Sequence, residues 1–199
     1  MQDAVSYLFQ AFKEGLDKSF SLFQRLHFHF IGTSYAPAGK GEATVWPLAE
    51  RFGVGEYVTE ITDRIPFYQT LNTLCDADAL FVPGSNDPQY SASKIYPYVL
   101  AKKPLLAMFH PCSSVVDFLR RSKAGTVLLF DQEKDDIQQS IERFLLQLLT
   151  GSSAPDDTDI RVIAQFSAKA MTLRQCALFD EVVSVHAFTS STIGPSIST

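Results

Sequence analysis

The sequence predicts an α/β domain with a doubly wound, mainly parallel sheet and helices on both faces. Short apolar runs alternate with segments of helical spacing. The runs begin at intervals of roughly 20 to 30 residues, about the length of a β-α-β unit. Right-handed crossovers between such units build an open parallel sheet that is covered on both sides. The runs with strand character are 27–31, 57–61, 80–82, 105–109 and 127–130.

The five runs differ in polarity. The last three are nearly continuous apolar stretches, as expected of strands that are buried on both faces of a sheet. The first two include His27, His29, Thr59 and Glu60. This mixture is typical of strands nearer the edge of a sheet, so we expect these two to lie there.

The segments between the strands have the i, i+3, i+4, i+7 spacing of amphipathic helices. Gly53 is typical of the residue that ends a helix, and it follows the first of the predicted helices. Pro66 is typical of a first helical turn, and it precedes the second. The predicted stripes are Val45, Leu48, Ala49 and Phe52; Phe67, Leu71, Leu74 and Cys75; Ile95, Tyr98 and Val99; Val115, Phe118 and Leu119; and Ile137, Ile141, Phe144, Leu145 and Leu148.

The two ends of the chain depart from this alternation. Residues 1–26 have helical spacing, whereas a doubly wound domain begins with a strand, so we expect its first strand to be missing. The doubly wound domain then spans 27–150, and 151–158 is a small, polar linker. A last helix is predicted over 159–188. A flexible tail is predicted over 189–199, which has little apolar surface to bury.

Composition excludes several classes of protein. The chain has 199 residues, of which 46% are hydrophobic, and its net charge of −5 does not favour binding to a nucleic-acid backbone. The N-terminus lacks the pattern of a signal peptide, and no apolar run is long enough for a membrane span. The separated residues Cys75, Cys112 and Cys176 indicate neither disulfides nor a thiolate metal site, and we expect each to be buried. The sequence therefore predicts a soluble, reduced, cytoplasmic protein.

Ligands of an open parallel sheet bind at the carboxyl ends of its strands. This rule selects the loops 32–41, 62–66, 83–93 and 110–114. The third loop leads into a helix through Ser91, Ser93 and Lys94, and these groups together suit a phosphate. The alternative is a serine N-cap followed by a solvated lysine.

The remaining polar motifs are weaker. The loop 32–41 is rich in glycine but lacks the P-loop pattern, because Gly41 and Glu42 follow Lys40. Arg64 either reaches an anion or forms a surface ion pair with the neighbouring Asp63. His110 and Asp117 would form an acid/base pair only if the turn between them folds back.

A D-x-D pattern is formed by Asp76 and Asp78, as in metal-dependent sugar transferases. The pattern precedes the strand 80–82, so we expect it at the amino end of the sheet, away from the ligand edge. We therefore predict no metal site and no cofactor.

Several segments, in order, resemble a known family. They are F-I-G-T (30–33), R-I-P-F-Y (64–68), D-A-D-A-L-F-V-P (76–83) and the stretch from Pro83 to Pro104. They are similar to the carboxyl-terminal, donor-binding domain of family 4-type glycosyltransferases, which have two Rossmann-like domains (the GT-B type). The likeness covers about residues 26–131.

The resemblance implies a site for a nucleotide diphosphate sugar in a Rossmann-like domain. Gly32 and Thr33 would lie beside the phosphates or the sugar, and Arg64 would approach the diphosphate. Ser91, Ser93 and Lys94 would form the pyrophosphate-binding segment. The residues implied to flank the base are Ile65, Pro66 and Phe67.

The sequence departs from the family in two respects. Pro97-Tyr98 stands where the family pattern has Glu-Tyr, and that glutamate contacts the ribose. The family's amino-terminal acceptor domain is also absent from the sequence. We therefore expect donor binding for glycan or polysaccharide assembly, with the acceptor domain or a second copy of the chain as partner, and leave catalysis by this chain alone open. The alternatives are a non-catalytic nucleotide-binding or scaffolding module and a sugar-nucleotide epimerase of the same architecture.

Overall fold

The structure is a computed structural model that describes residues 2–152 and 157–190, with side chains described as far as residue 184. The chain divides into two compact units, Met1–Thr158 and Asp159–Thr199. The first unit consists of α1 (Gln2–Phe23), β1 (Phe28–Ile31), α2 (Trp46–Arg51), a 3₁₀ turn (Gly55–Tyr57), β2 (Val58–Ile61), α3 (Phe67–Asp76), β3 (Leu80–Pro83), α4 (Ile95–Leu100), β4 (Leu105–Phe109), α5 (Ser114–Ser122), β5 (Thr126–Leu129) and α6 (Lys134–Thr150).

The fold class is confirmed as α/β with parallel strands. Each of the five strands lies within one residue of its predicted bounds. The strands form two parallel sheets, β1-β2 and β3-β4-β5, and β1 does not pair with β3. The registers align Phe28 with Val58, Leu80 with Leu105, and Leu106 with Thr126.

Strand β4 is the most buried element of the first unit. All five of its residues are buried, so both of its faces are covered. Strands β1 and β2 are only partly buried, as their mixed composition predicted.

The core is built on α1 and α6, which pack against each other. The apolar residues Val5, Leu8, Phe9 and Phe12 of α1 are buried, because they recur on one face of the helix. The ring of Phe12 meets that of Phe28 edge to face, with 5.0 Å between centroids. From α6, the stripe residues Ile137, Ile141 and Leu145 join the same cluster. Burying one such side chain stabilises the folded state by about 1.5–3 kcal/mol.

Helix α1 is bent at Ser19, whose φ of −150° and ψ of 65° are not helical. The bend carries Phe23 back against the helix, where its ring is 1% exposed. A Cβ atom on Gly15 would overlap this ring, so the contact requires glycine at that position.

The second unit contains α7 (Ile160–Ala164) and α8 (Ala168–Ser190). The sequence predicts one helix over 159–188, whereas the structure interrupts it between Ala164 and Ala168. Large apolar side chains of α8 are exposed, among them Leu173, Leu178, Phe179 and Val183. Most of the predicted tail, from residue 191 onward, lies outside the described residues.

No helix in the described part of the chain combines the length and the apolar character that are needed to cross a bilayer.

Candidate functional site at the carboxyl ends of the strands

Gly32 directly follows β1, and its φ of +73° is a backbone conformation that other residues rarely adopt. Its N–H donates to the Ile61 carbonyl at 2.8 Å, which extends the pairing of β1 with β2. A Cβ atom built on Gly32 would lie 3.7 Å from the Arg64 Cα, which is an ordinary contact distance. The positive φ, rather than a lack of room for a side chain, therefore favours glycine at this position. The same contact shows that the fold brings Gly32 and Arg64 together.

The loops after β1 and β2 are joined to each other. The Ser34 N–H donates to the Thr62 carbonyl at 3.1 Å. The Gly39 N–H donates to both carboxylate oxygens of Asp63, at 2.9 and 3.1 Å. A Cβ atom on Gly41 would lie 2.8 Å from the side chains of both Ser34 and Thr62, so the two loops are closely packed. The first two candidate loops therefore form one surface.

Glu60, in β2, organises this surface. Its carboxylate accepts the backbone N–H groups of Thr44 at 3.1 Å, Val45 at 2.9 Å and Trp46 at 2.7 Å. It also accepts the Thr33 hydroxyl at 2.6 Å. Partial burial disfavours the charged form, but the hydroxyl and the three N–H groups outweigh it and hold the pKa of Glu60 below its ordinary value.

The role of Glu60 restricts what a ligand can contact. The carboxylate already satisfies the N–H groups at the amino end of α2, so this helix end is not available to an external phosphate. The Thr33 hydroxyl hydrogen is likewise engaged, so it is not free to bond to a phosphate oxygen. Glu60 was not predicted to be a site residue. Its signal was the single carboxylate of the short β2 strand.

Arg64 is exposed, and its guanidinium lies over the ring of Tyr35, 4.3 Å from the centroid. Such a cation–π contact orients the guanidinium without neutralising its charge. The alternative ion pair with Asp63 is not formed, since that carboxylate accepts from Gly39. Among the described residues, Arg64 makes no ion pair, so its charge remains available to an anion.

The loops after β3 and β4 form a second pair. The His110 N–H donates to the Ser85 carbonyl at 3.1 Å, and the Ser113 hydroxyl donates to the Tyr90 carbonyl at 3.3 Å. The Tyr90 ring stacks on Phe109, with 6.4 Å between centroids. Ser113 also caps α5. The loop that contains the predicted phosphate segment is therefore fixed against the start of α5.

Ser91, Ser93 and Lys94 form the end of this loop and are exposed immediately before α4. Neither serine caps α4, because Lys94 occupies the N-cap position and no side chain bonds there. The simple N-cap alternative is therefore not realised. Lys94 makes no ion pair within the described ranges. No hydrogen bond or ion pair between described residues links this segment to the Gly32–Arg64 surface.

The predicted base-flanking residues adjoin Arg64. Ile65 is partly buried, whereas Pro66 and Phe67 are exposed, the latter by 68%. The ring of Phe67 meets that of Tyr68 edge to face at 5.5 Å, and Tyr68 is 78% exposed. Two exposed aromatic rings therefore follow Arg64 closely along the chain. Neither Tyr35 nor Tyr68 was predicted to be a site residue.

The prediction that the cysteines are buried was wrong, because Cys75, Cys112 and Cys176 are all exposed. Cys75 belonged to a predicted α3 stripe, but α3 buries only Leu74 fully. Helix α3 therefore packs by a narrower face than its apolar spacing suggested.

The acid/base pair of His110 with Asp117 does not form. Asp117 pairs with Arg121 at 3.4 Å, one helical turn further along α5. The Nδ1 atom of His110 accepts the Cys112 N–H at 3.1 Å, which closes the turn locally.

Asp76 and Asp78 are exposed and precede β3, at its amino end, as predicted. In the described residues there is no group of three or more His, Cys, Asp or Glu side chains that could hold a metal ion.

Comparisons with known proteins support the fold. No family model matches the sequence, and a search of curated proteins gave no significant match. The structure is similar to the crystal structure of WaaG, a glycosyltransferase involved in lipopolysaccharide biosynthesis, with a TM-score of 0.51 and 18% identity. The alignment covers 75% of this chain and 35% of WaaG, so the chain spans about a third of that protein. At this identity the likeness concerns the fold alone, and the chain has a glycosyltransferase-like α/β fold.

Proposed function

We propose that this chain binds the diphosphate of a nucleotide sugar, as the donor half of a glycosyltransferase in glycan or polysaccharide assembly. The observation that supports it best is the pairing of Gly32 with Arg64 where β1 and β2 end. An unpaired guanidinium beside a partly buried backbone turn suits a bidentate contact with phosphate oxygens. The carboxyl ends of parallel strands are also where such folds bind nucleotides.

A second cation supports the same proposal. Lys94 is exposed and without an ion pair in the described residues, and it lies in the segment that follows β3. Two phosphates carry enough negative charge to engage both Arg64 and Lys94. In glycosyl transfer, these cations would stabilise the negative charge that develops on the diphosphate leaving group. The open rings of Phe67 and Tyr68 would supply a stacking surface for the base.

Transfer also requires an acceptor held next to the donor. The residues described here provide cations, a turn and aromatic rings, and none of them is assigned to activating an acceptor. We therefore assign donor binding to this chain and leave acceptor binding to a further domain or a partner.

One observation favours a second candidate, a non-catalytic nucleotide-binding module. Tyr98 is preceded by Pro97 within α4, so this helix offers no carboxylate for a ribose hydroxyl. Burial raises the pKa of Tyr98, and its phenol therefore stays neutral. A module that keeps the cations but lacks this carboxylate would bind diphosphates with little preference for the nucleoside.

Calorimetric titration with UDP, GDP, ADP and CDP tests both candidates. We expect saturable binding, with Arg64→Ala and Lys94→Ala each weakening it about 10- to 100-fold, because a charge-assisted contact contributes about 1.5–3 kcal/mol. Lys103→Ala is the control. Lys103 precedes β4 and so lies at the amino end of the strand, whereas the candidate loops lie at the carboxyl ends. Equal affinity for all four bases would favour the non-catalytic module. No binding of any diphosphate would exclude the donor site.

A further inference from the structure

Two histidines lie side by side on the face of β1 that points away from α1. On the other face, the rings of Phe28 and Phe30 contact the Phe9 ring of α1, with centroids 6.3 and 5.9 Å apart. Because the side chains of an extended segment alternate between its two faces, His27 and His29 lie on the opposite side. Both are exposed, and their ring centroids are 4.7 Å apart.

This separation of the rings fits two imidazoles that share one metal ion. A metal ion lies about 2.1 Å from a ligating imidazole nitrogen, and hence about 3.2 Å from the ring centroid. Two such rings have centroids about 4.5 Å apart at a ligand angle of 90°, and about 5.2 Å apart at the tetrahedral angle. The observed 4.7 Å is closer to the first value. Angles near 90° are typical of the square-planar and tetragonal sites of Ni²⁺ and Cu²⁺.

The pairing of β1 with β2 holds the two imidazoles in place. His29 is aligned with Thr59 of β2, and the Thr59 hydroxyl oxygen lies 2.8 Å from the Nε2 atom of His27. When Nε2 carries the proton and donates to this hydroxyl, the lone pair on Nδ1 of His27 is left for a metal ion. A hydrogen bond to the second ring nitrogen is the usual way in which a protein orients a metal-binding histidine.

We propose that His27 and His29 chelate one divalent transition-metal ion of the Ni²⁺ or Cu²⁺ class, each through one imidazole nitrogen, and that Thr59 orients His27. Two protein ligands leave the other coordination positions to water, unlike the four protein ligands of a closed structural site. The ligands are nitrogen atoms, so Mg²⁺ and Ca²⁺, which prefer oxygen, do not suit this pair. The pair is also separate in sequence from the carboxylates of Asp76 and Asp78.

The alternative is an ordinary contact between two exposed rings. Single substitutions separate the two explanations. In a chelate, binding of one imidazole raises the effective concentration of the other, which strengthens the affinity by about 10² or more. Loss of either histidine therefore removes this gain, and loss of the second histidine changes little further.

Calorimetric titration of the full chain with NiCl₂ at pH 7.5, above the ordinary histidine pKa of about 6.5, is the test. The chain carries no affinity tag, and its exposed thiols are first capped with iodoacetamide, because thiolates also bind such ions. We expect one Ni²⁺ per chain. His27→Asn and His29→Asn should each weaken binding about 100-fold, and the double variant should be no weaker. MgCl₂ should give no heat that either substitution removes.

Two further sets of variants serve as controls. His110→Asn removes a histidine from the loop after β4 and should leave the affinity for Ni²⁺ unchanged. Thr59→Val removes the hydroxyl and should weaken binding about tenfold, whereas Thr59→Ser should restore it.

A second measurement needs no substitution. Bound Ni²⁺ is paramagnetic and broadens the NMR signals of nearby amides. We expect this broadening at His27, His29 and Thr59, while the amides of β5, which belongs to the other sheet, should stay sharp.

The proposal would be overturned by the absence of saturable Ni²⁺ binding, or by binding that survives both histidine substitutions. Loss of one ion with each substitution would mean two independent imidazole sites. Broadening spread evenly over the chain would mean adventitious binding only. Equal affinity in Thr59→Val and Thr59→Ser would refute the orienting role of Thr59.

Discussion

Replacing Glu60 tests whether one carboxylate holds the surface after β1 and β2 together. Glu60→Ala removes the acceptor for three backbone N–H groups and one hydroxyl. The N–H groups of the exposed residues Thr44 and Trp46 can bond to water instead. Val45 is only 4% exposed, so its N–H group loses its partner without replacement.

The expected magnitude follows from these environments. A buried donor left unpaired costs about 1–3 kcal/mol, and loss of a helix cap costs about 0.5–2 kcal/mol. We therefore expect Glu60→Ala to lower the free energy of unfolding by about 2–4 kcal/mol. Glu60→Gln keeps one acceptor oxygen but loses the charge, and we expect about half of that cost.

Urea unfolding followed by tryptophan fluorescence is the measurement. Trp46 is the chain's single tryptophan, and its own N–H donates to Glu60, so the probe reports on the site directly. Glu42→Gln is the matched control, because Glu42 is an exposed carboxylate of the same loop. If Glu60→Ala shifted the free energy of unfolding no more than this control, the carboxylate would not hold the loops together.

The dependence on pH has a definite sign. The folded-state pKa of Glu60 lies below the ordinary value of 4.5, so its contribution to stability is complete above that value. It is lost as the pH falls through the depressed folded pKa. The stability difference between the natural protein and Glu60→Gln should therefore shrink with acidification below pH 4.5 and stay constant near neutrality. A difference that grew on acidification would contradict this linkage.

Three further substitutions test the backbone and the core. Gly15→Ala places a methyl group against the buried Phe23 ring, and we expect thermal unfolding to show a loss of about 1–3 kcal/mol, despite the better helix propensity of alanine. Gly125→Ala should cost at least as much by the same measurement, because φ is +69° and the new Cβ would lie 2.5 Å from the Leu105 carbonyl oxygen. Lys102→Gly should raise the urea midpoint and increase the free energy of unfolding by about 0.5–1 kcal/mol. Lys102 follows α4 with a φ of +54°, a conformation that glycine adopts without strain. Lys103→Gly, at a neighbour without positive φ, should lower the midpoint, and a shift of the same sign in both variants would refute the backbone argument.

The strands and the long helices were predictable because their signals are local. The β4 strand is a run of five apolar residues, and such a run at that length is buried as a strand. The Ile137, Ile141 and Leu145 stripe repeats over several turns of α6, so the buried face follows from spacing alone. The same local signals predicted the order of strands and helices. That order in turn predicted that the candidate loops lie at the carboxyl ends of the strands.

The contacts within the candidate site were not predictable in the same way. Glu60 binds N–H groups 14 to 16 positions earlier in the chain, and nothing in the local sequence of β2 specifies such partners. Tyr35 and Arg64 meet only because their loops are joined through Ser34 and Asp63. Cys75 is exposed because only a narrow face of α3, around Leu74, is buried. The apolar spacing of α3 predicted a wider buried face that included Cys75.

The exposed cysteines have a practical consequence. The thiols lie on α3, just before α5 and on α8, so each reports on a different part of the chain. A thiolate-reactive dye at Cys112 would lie next to His110, in the loop that follows β4 at the carboxyl end of that strand. Because the thiols are accessible, the protein can form intermolecular disulfides in air. Dimers that dithiothreitol converts to monomers would therefore be an artefact of oxidation.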